Sequence, residues 1–491
     1  MEAVNRTSRL RKKHTNTYRS NKIYIIISLI TVSIFLLYIF SQNNNSILFL
    51  KSPKPTQCIT TIPQKGEKFL WYAPHSGFSN QLSEFKNAML MSGILNRTLI
   101  VPPVLDHHAV VLGSCPKFRV SDPKDLRFAV WNHALDLIRE HRYISMADVI
   151  DISSLVSDSA VRVIDFRKFV SLLCDMDINN FCIKDLNMDD LLLEKLKKCG
   201  SLLSGLEDDV NDCVYAVEED CRTTVWTYQK DGENGALDSF QPDEQLKRKK
   251  KISFVRWRKD VYDTLGPHSR ADLATVLSFG SLFTGPYKGS ESYIDIHESL
   301  RDPKIQSLIN KIEFLPFVPE ILDAGKAYAI HTIKSPFLCA QLRLLDGQFK
   351  NHQRATFQGL KQKLDSLRQK ESLPIHIFVM TDLPMSNWTG TYLGELANDS
   401  DSIKLFLLSE NDELVIQTAK KVVDEGHGMK FGASYSGSNE KDCYRGQKLP
   451  EILLHVEETV CSCASLGFVG TTGSTIADSI EMMRKKEVCS H

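Results

Sequence analysis

FLWYAPHSGFSNQLSEFKNAMLMSGILNRTLIVPP, residues 69–103, is the stretch that decides the fold. A short apolar run at 69–73 ends in His75-Ser76-Gly77-Phe78-Ser79-Asn80-Gln81. Leu82, Phe85 and Met89 then recur at helical spacing. A β-branched apolar run at 99–101 stops at Pro102-Pro103. The pattern predicts strand, tight loop, helix, strand: one βαβ unit with Gly77 and small polar residues at its first turn. Loops at the C-terminal ends of parallel strands are where α/β sheets hold phosphorylated ligands, because the following helix offers free N–H groups and positive potential. The same segment also reads as a plain βα turn capped by Ser79 or Asn80.

Strands and helices alternate again near the C-terminus. Apolar runs at 337–342, 375–380, 403–408 and 467–470 predict strands, and 353–371, 414–423, 449–460 and 476–485 predict helices. Two such blocks imply two doubly wound, Rossmann-like domains facing a cleft, with a boundary near residue 329 and a hinge near 330. Residues 69–329 form the first domain and 330–491 the second. Between them, residues 171–243 are acidic, cysteine-bearing and weakly patterned, which reads as an elaborated insertion rather than core.

The N-terminus carries a different signal. Residues 23–40 are apolar and uncharged, long enough at about 1.5 Å per residue to cross a bilayer core. Arg6, Arg9, Arg11, Lys12, Lys13, Arg19 and Lys22 precede this run, and residues 41–46 after it are polar and uncharged. The asymmetry predicts a signal anchor with a cytosolic tail at 1–22, a stem at 41–68 and everything beyond it lumenal. The site expected for signal-peptide cleavage, small residues one apart, does not follow the apolar run.

Cysteine usage agrees with a lumenal chain: all 12 lie after the apolar run, from Cys58 to Cys489. Cys174, Cys182, Cys199, Cys213 and Cys221 cluster and are expected to staple one region. Cys461 and Cys463 stand too close to pair with each other, so each pairs elsewhere if at all. Asn44, Asn96, Asn387 and Asn398 each open a lumenal N-glycosylation sequon, with Asn96 expected to be buried. The 60 basic and 60 acidic residues cancel, which removes the electrostatic case for a nucleic-acid partner. The basic run at 247–251 reads as a solvated loop.

The spelling of the opening stretch resembles the signature of the GDP-fucose protein O-fucosyltransferases, and most closely the large plant set of O-fucosyltransferase-like proteins. That signature is a Gly-Arg-Phe-Gly-Asn-Gln loop, a helix, Leu-Asn-Arg-Thr-Leu and Pro-Pro. Phe78, Asn80, Gln81 and Leu95-Asn96-Arg97-Thr98-Leu99 match it; Ser76-Gly77 replaces Gly-Arg and Ser79 replaces the second Gly. Gln341-Leu342-Arg343-Leu344-Leu345-Asp346 resembles the family's His-Leu-Arg-x-x-Asp segment, with Gln341 in place of His. Thr381-Asp382 and residues 468–484 extend the likeness in the right order.

The resemblance implies a GT-B-like fold and an inverting transfer of L-fucose from GDP-fucose to a hydroxyl of a protein or glycan acceptor. It implies no metal, and a type II Golgi membrane location. Arg343 is the expected catalytic cation, a planar fork that suits a diphosphate leaving group. The alternative for Arg343 is a structural ion pair with Asp346. The expected donor contacts are Gly77, Phe78, Ser79, Arg343, Asp346, Asp382, Thr471, Thr472, Ser474 and Thr475. Asn80 is expected near the reacting oxygens, where its amide orients but does not titrate. His75 and Glu84 are the candidate bases, and Asp106, His107 and His108 are further cleft candidates. Asp399-Ser400-Asp401 spells the metal-holding pair of other glycosyltransferases but sits in a polar loop, and is read as solvent-exposed. Two rivals stand beside this: a rhamnosyltransferase using a UDP-sugar on cell-wall polysaccharide, and a non-catalytic binding protein on the same scaffold.

Overall fold

The computed structural model describes residues 66–106, 123–158, 160–175, 186–204, 214–216, 265–280, 282, 303–345, 349, 352–432 and 448–489. The basic tail, the apolar run at 23–40, Asn44, His107, His108 and Asp346 lie outside the described residues. Among the described residues no helix is long and apolar enough to cross a membrane.

The opening stretch folds as read. Strand β1 (Phe69–Trp71) leads through a short loop into helix α1 (Phe78–Leu95), and β2 (Thr98–Val101) pairs parallel to β1. Helix α1 is buried on nearly every side: Phe85, Met89 and Leu90 face apolar neighbours, and Gln81, Glu84, Lys86, Asn87 and Ser92 each hold a hydrogen bond, while the Ser83 hydroxyl is buried without one among the described residues. Lys86 Nζ donates to Glu313 O at 2.8 Å and Asn87 Nδ2 to Leu282 O at 2.8 Å. Helices α2 (Pro123–Arg139), α3 (Met146–Val149) and α4 (Ser153–Ser157) lead to β3 (Val163–Asp165) and α5 (Phe166–Cys174). Next come α6 (Leu186–Ser204), β4 (Val214–Ala216), α7 (Arg270–Leu273) and β5 (Val276–Ser278). The five strands form one parallel sheet in the order β3-β2-β1-β5-β4.

Here the expected insertion at 171–243 is corrected. It supplies β4, an edge strand of the sheet, and α6, which covers Trp131 of α2. Leu193, Leu196 and Leu203 are buried there, Trp131 Nε1 donates to Leu196 O at 3.0 Å, and a disulfide joins Cys174 to Cys199. Gly200 is the point of closest approach: an added Cβ would lie 2.1 Å from the Trp131 ring.

Helices α8 (Pro303–Ile312) and α9 (Pro319–Ala327) follow, and α9 continues through a wide helical turn (Tyr328–Ile333) that ends at Lys334 with φ 63°. The second block reads β6 (Phe337–Leu342), α10 (Gln353–Arg368), β7 (Ile375–Thr381), α11 (Tyr392–Asn398), β8 (Ile403–Phe406), α12 (Glu413–Glu425), α13 (Leu453–Ser462), β9 (Gly467–Gly470) and α14 (Thr475–Lys485). Its strands form a second parallel sheet in the order β8-β7-β6-β9. Disulfides Cys339–Cys461 and Cys463–Cys489 lie within this half, so the two close cysteines do pair elsewhere.

Packing is continuous around residue 330, where the hinge is expected. One hydrophobic core runs through both halves, from Leu70 and Val101 of the first sheet to Cys339, Phe378 and Val456 of the second half. Helix α9 precedes residue 330 yet packs on α12 and α13, and an added Cβ at Gly325 would lie 2.4 Å from Thr459 Cβ. A further clamp joins Asp148 of α3, whose Oδ1 accepts from Gly428 N at 2.6 Å. Shared packing of this kind opposes a free swing of one sheet against the other.

Candidate active site

In each sheet the chain winds to one side and then returns to the other side of its first strand. The reversal falls between β1 and β5 in the first sheet and between β6 and β9 in the second. Beyond the C-terminal ends of strands at such a reversal, connections diverge and leave room for a ligand. The loop after β1 carries His75–Asn80, the segment after β6 carries Arg343, and the turn after β9 carries Thr471–Thr475.

Around Arg343 the geometry is a rack of side-chain acceptors. Arg343 N donates to Thr471 Oγ1 at 2.9 Å. The next two amides, Leu344 N and Leu345 N, donate to Asp382 Oδ1 at 2.7 Å and Oδ2 at 3.1 Å. Thr471 in turn donates its hydroxyl to Gln341 O at 3.3 Å, and its N–H to Gln341 Oε1 at 3.2 Å. Gln341 Nε2 reaches Ser474 Oγ at 3.5 Å. The Arg343 guanidinium is half-buried, its carbon 5.0 Å from the centre of the Phe349 ring. A cation held over a ring face by a braced backbone is pre-organised to meet an anion.

The first-half loop is built differently. Ser76 has a φ of 64°, the left-handed region, at the position where the resemblant signature has Gly. Gln81 holds this loop: its Nε2 donates to Ser76 O at 2.7 Å and Leu105 O at 2.9 Å, and its Oε1 accepts from Leu105 N at 2.9 Å. Phe78 leans on His455 of α13, ring centres 4.2 Å apart, and Phe317 flanks the same imidazole at 5.0 Å. This stack ties the loop to the second half. Burial pushes the His455 pKa down to about 3, so the ring is neutral, and its Nδ1 is buried with no hydrogen-bond partner among the described residues.

No protein-family profile matches the chain. Over 473 residues, 95% of this chain and 92% of its counterpart, it is 57% identical to O-fucosyltransferase 30 of Arabidopsis thaliana. The chain belongs to the O-fucosyltransferase family. It is therefore an enzyme of the glycosyltransferase class. Solved structures of POFUT1 in complex with GDP and with GDP-fucose share 11% identity, covering 86% and 87% of this chain and 96% of theirs, each with a TM-score of 0.38. Likenesses below a TM-score of 0.5 add nothing to the assignment.

Within this O-fucosyltransferase the expected site residues divide by exposure. Arg343, Thr472, Thr475 and Asn80 keep at least partial exposure at the strand ends. Thr471 and Ser474 do not: both are 0% exposed and turn inward as braces. Ser474 stands at the N-cap of α14 without a side-chain cap bond, and Gly77, not Ser79 or Asn80, is the N-cap of α1. The N–H groups of Asn80 and Gln81 both donate to Gly77 O, at 2.9 and 3.1 Å, so the first turn closes on itself.

The two candidate bases lie together inside the loop. His75 and Glu84 are both 0% exposed and face each other: His75 N donates to Glu84 Oε2 at 2.9 Å, and the imidazole Nε2 lies 3.7 Å from Oε1. Burial pushes the His75 pKa down to about 4. The pair is closed off from solvent and holds the β1 loop. Asp106 accepts from Arg142 Nη2 at 2.6 Å. Asp399 accepts from Arg368 Nη2 at 2.8 Å, and Asp401 is exposed. Glu320, Glu425 and His427 bring their ligand atoms within 4.8 Å of one another; pairs of His427 with Glu320 (3.1 Å) and of Lys430 with Glu425 (3.2 Å) account for that arrangement.

Asn96 is exposed, against expectation, because it ends α1 in the left-handed conformation with φ 51°. Its Oδ1 accepts from Arg162 Nη1 at 3.1 Å, while the sequon's Thr98 is buried in β2 and donates to Glu67 Oε1 at 2.8 Å. Asn387 and Asn398 are exposed. Sequence reasoning missed Phe349 and His455; an isolated aromatic in a loop and a histidine on an apolar helix carry no local mark of a partner.

Proposed function

We propose that this chain moves L-fucose from GDP-fucose to a hydroxyl of a protein or glycan acceptor, with inversion and without a catalytic metal. The observation that carries this reading is Arg343 at the chain reversal of the second sheet, its amide fixed by Thr471 and its guanidinium stacked on Phe349. As the bond from the sugar C1 to the phosphate oxygen breaks, charge grows on the β-phosphate. A permanent cation whose backbone is already fixed stabilises that charge with little reorganisation. Thr472 and Thr475, exposed on the turn into α14, add hydroxyl donors beside it. In this reading Asn80, in the first turn of α1, orients the incoming oxygen through its amide. The attack comes from the face of C1 opposite the departing diphosphate, which gives inversion. With His75 and Glu84 enclosed, the proton of the acceptor hydroxyl passes to the departing diphosphate, whose β-phosphate oxygen becomes basic as the C1–O bond breaks.

The name of the Arabidopsis relative supports fucose as the sugar. The basic tail, the apolar run at 23–40 and the sequons support a single-pass type II protein of the Golgi membrane with residues 41–491 lumenal. The test is donor consumption by the full chain: the wild type releases GDP from GDP-fucose, and Arg343→Ala loses at least about 100-fold in rate. Equal rates in the two proteins, or turnover of a UDP-sugar in place of GDP-fucose, would overturn it.

A further inference from the structure

We infer that Asp382 is a positioning residue that holds the Arg343 segment, and not a ligand of the nucleoside. The inference rests on the function proposed above, with Arg343 gripping the diphosphate. Strands β6 and β7 run in register with Leu342 opposite Thr381, so Asp382 leaves its strand beside Arg343. There its two carboxylate oxygens take two successive main-chain amides, Leu344 N at 2.7 Å and Leu345 N at 3.1 Å. Together with Thr471 Oγ1 on Arg343 N, three consecutive N–H groups are met by side chains from the two strands that flank β6.

Successive amides that converge on one point form a natural anion cradle. In this protein the anion is built in. A carboxylate filling the cradle fixes the direction in which the chain leaves β6, and with it the root of the Arg343 side chain. Charge-assisted bonds to N–H groups are about twice as strong as neutral ones, which suits a clamp. The carboxylate is itself anchored. Thr381 Oγ1 accepts from Leu383 N at 3.1 Å, and Trp388 Nε1 donates to Leu383 O at 3.0 Å, so the residues on either side of Asp382 are both held. Reading a guanine edge needs both oxygens of one carboxylate turned together toward two base N–H groups; here each oxygen already spends one acceptor site on the protein's own backbone.

Calorimetric titration of the full chain with GDP, GMP and ADP tests this, because each ratio reports a different contact. GDP over GMP measures the grip on the β-phosphate, and GDP over ADP measures base recognition. In Asp382→Ala the GDP-over-GMP preference falls at least about tenfold, toward that of Arg343→Ala, while GDP over ADP stays within about twofold. The double variant is no worse than Arg343→Ala alone, and Asp382→Asn, which keeps one acceptor oxygen, lies between. A fall in GDP over ADP with GDP over GMP intact would overturn the inference. Amide exchange separates this from failure of the functional reading: in Asp382→Ala, exchange at Leu344 and Leu345 rises at least about thirtyfold. Unchanged exchange sinks the clamp whatever the nucleotides do. A wild type with no preference for GDP over GMP sinks the functional reading, while the exchange rates still decide the clamp.

Discussion

Thr471 Oγ1 accepts the backbone N–H of Arg343 at 2.9 Å, so one expected donor contact holds the backbone of the residue proposed to grip the diphosphate. Thr471→Val keeps the shape and removes the acceptor. It leaves that amide unpaired in a half-buried place, a loss of about 1–3 kcal/mol in stability. Donor turnover falls about tenfold, because a small displacement of a charged group is felt at the reacting bond. Thr471→Ser restores both. Thermal unfolding and GDP release measured on the three proteins check this; a Val variant as stable and active as wild type would contradict it.

Exposure separates the remaining hydroxyls of the same turn. Thr472→Val and Thr475→Val weaken GDP binding by about three- to tenfold with little change in thermal stability, since neither hydroxyl is buried. Titration calorimetry together with melting curves gives the answer. A stability loss as large as that of Thr471→Val would show that these side chains brace the turn as well.

The His455 imidazole is held neutral between Phe78 and Phe317, with its pKa pushed down to about 3. The unfolded chain protonates this group near pH 6.5 and the folded chain does not, so stability is full above about pH 6.5 and falls as the pH drops toward 3. At about pH 5 the loss from this one group is about 2 kcal/mol. His455→Phe keeps an aromatic ring in the stack and removes the titration. Its unfolding free energy declines less between pH 7 and pH 5 than that of wild type. Parallel declines in the two proteins would contradict the assignment.

Gly200→Ala drives a methyl group into the Trp131 ring, where an added Cβ would sit at 2.1 Å. The expected cost is about 1–3 kcal/mol, with a change in Trp fluorescence. A neutral substitution would mean that α6 is not packed on α2.

Asn387 stands exposed on a short turn with Thr389 exposed beside it, whereas the hydroxyl of Thr98 in the Asn96 sequon is buried and bonded to Glu67. Produced in a secretory host, the protein loses one glycan on Asn387→Gln and none on Asn96→Gln, read by mass after deglycosylation. A chain with no glycan at all would contradict the lumenal assignment of residues 41–491.

The strands of both sheets were legible where apolar runs end sharply. FLCAQL at Phe337–Leu342 and GFVG at Gly467–Gly470 are bounded by turn residues, and both strands fall where the pattern puts them. β4 was not legible. Its three residues, Val214–Ala216, show no alternation, and their pairing with β5 is made across about sixty residues of chain. The site shows the same division. Arg343 announces itself at the end of a buried strand. Of the four hydroxyls in Thr471-Thr472-Gly473-Ser474-Thr475, which two face inward depends on the register of β9 against β6 and on Gln341, and no spacing within the turn encodes that. Asp382 was visible as a strand-end acid, but its targets lie in the segment that follows the neighbouring strand and became visible only with the β6–β7 register.

A crystal structure of this protein with GDP tests the central claim most directly. The account predicts the diphosphate beyond the ends of β6 and β9, with β-phosphate oxygens within about 3 Å of the Arg343 guanidinium and near the Thr472 and Thr475 hydroxyls. GDP bound with its phosphates away from Arg343, or the guanidinium turned out to solvent beside an occupied site, would contradict it.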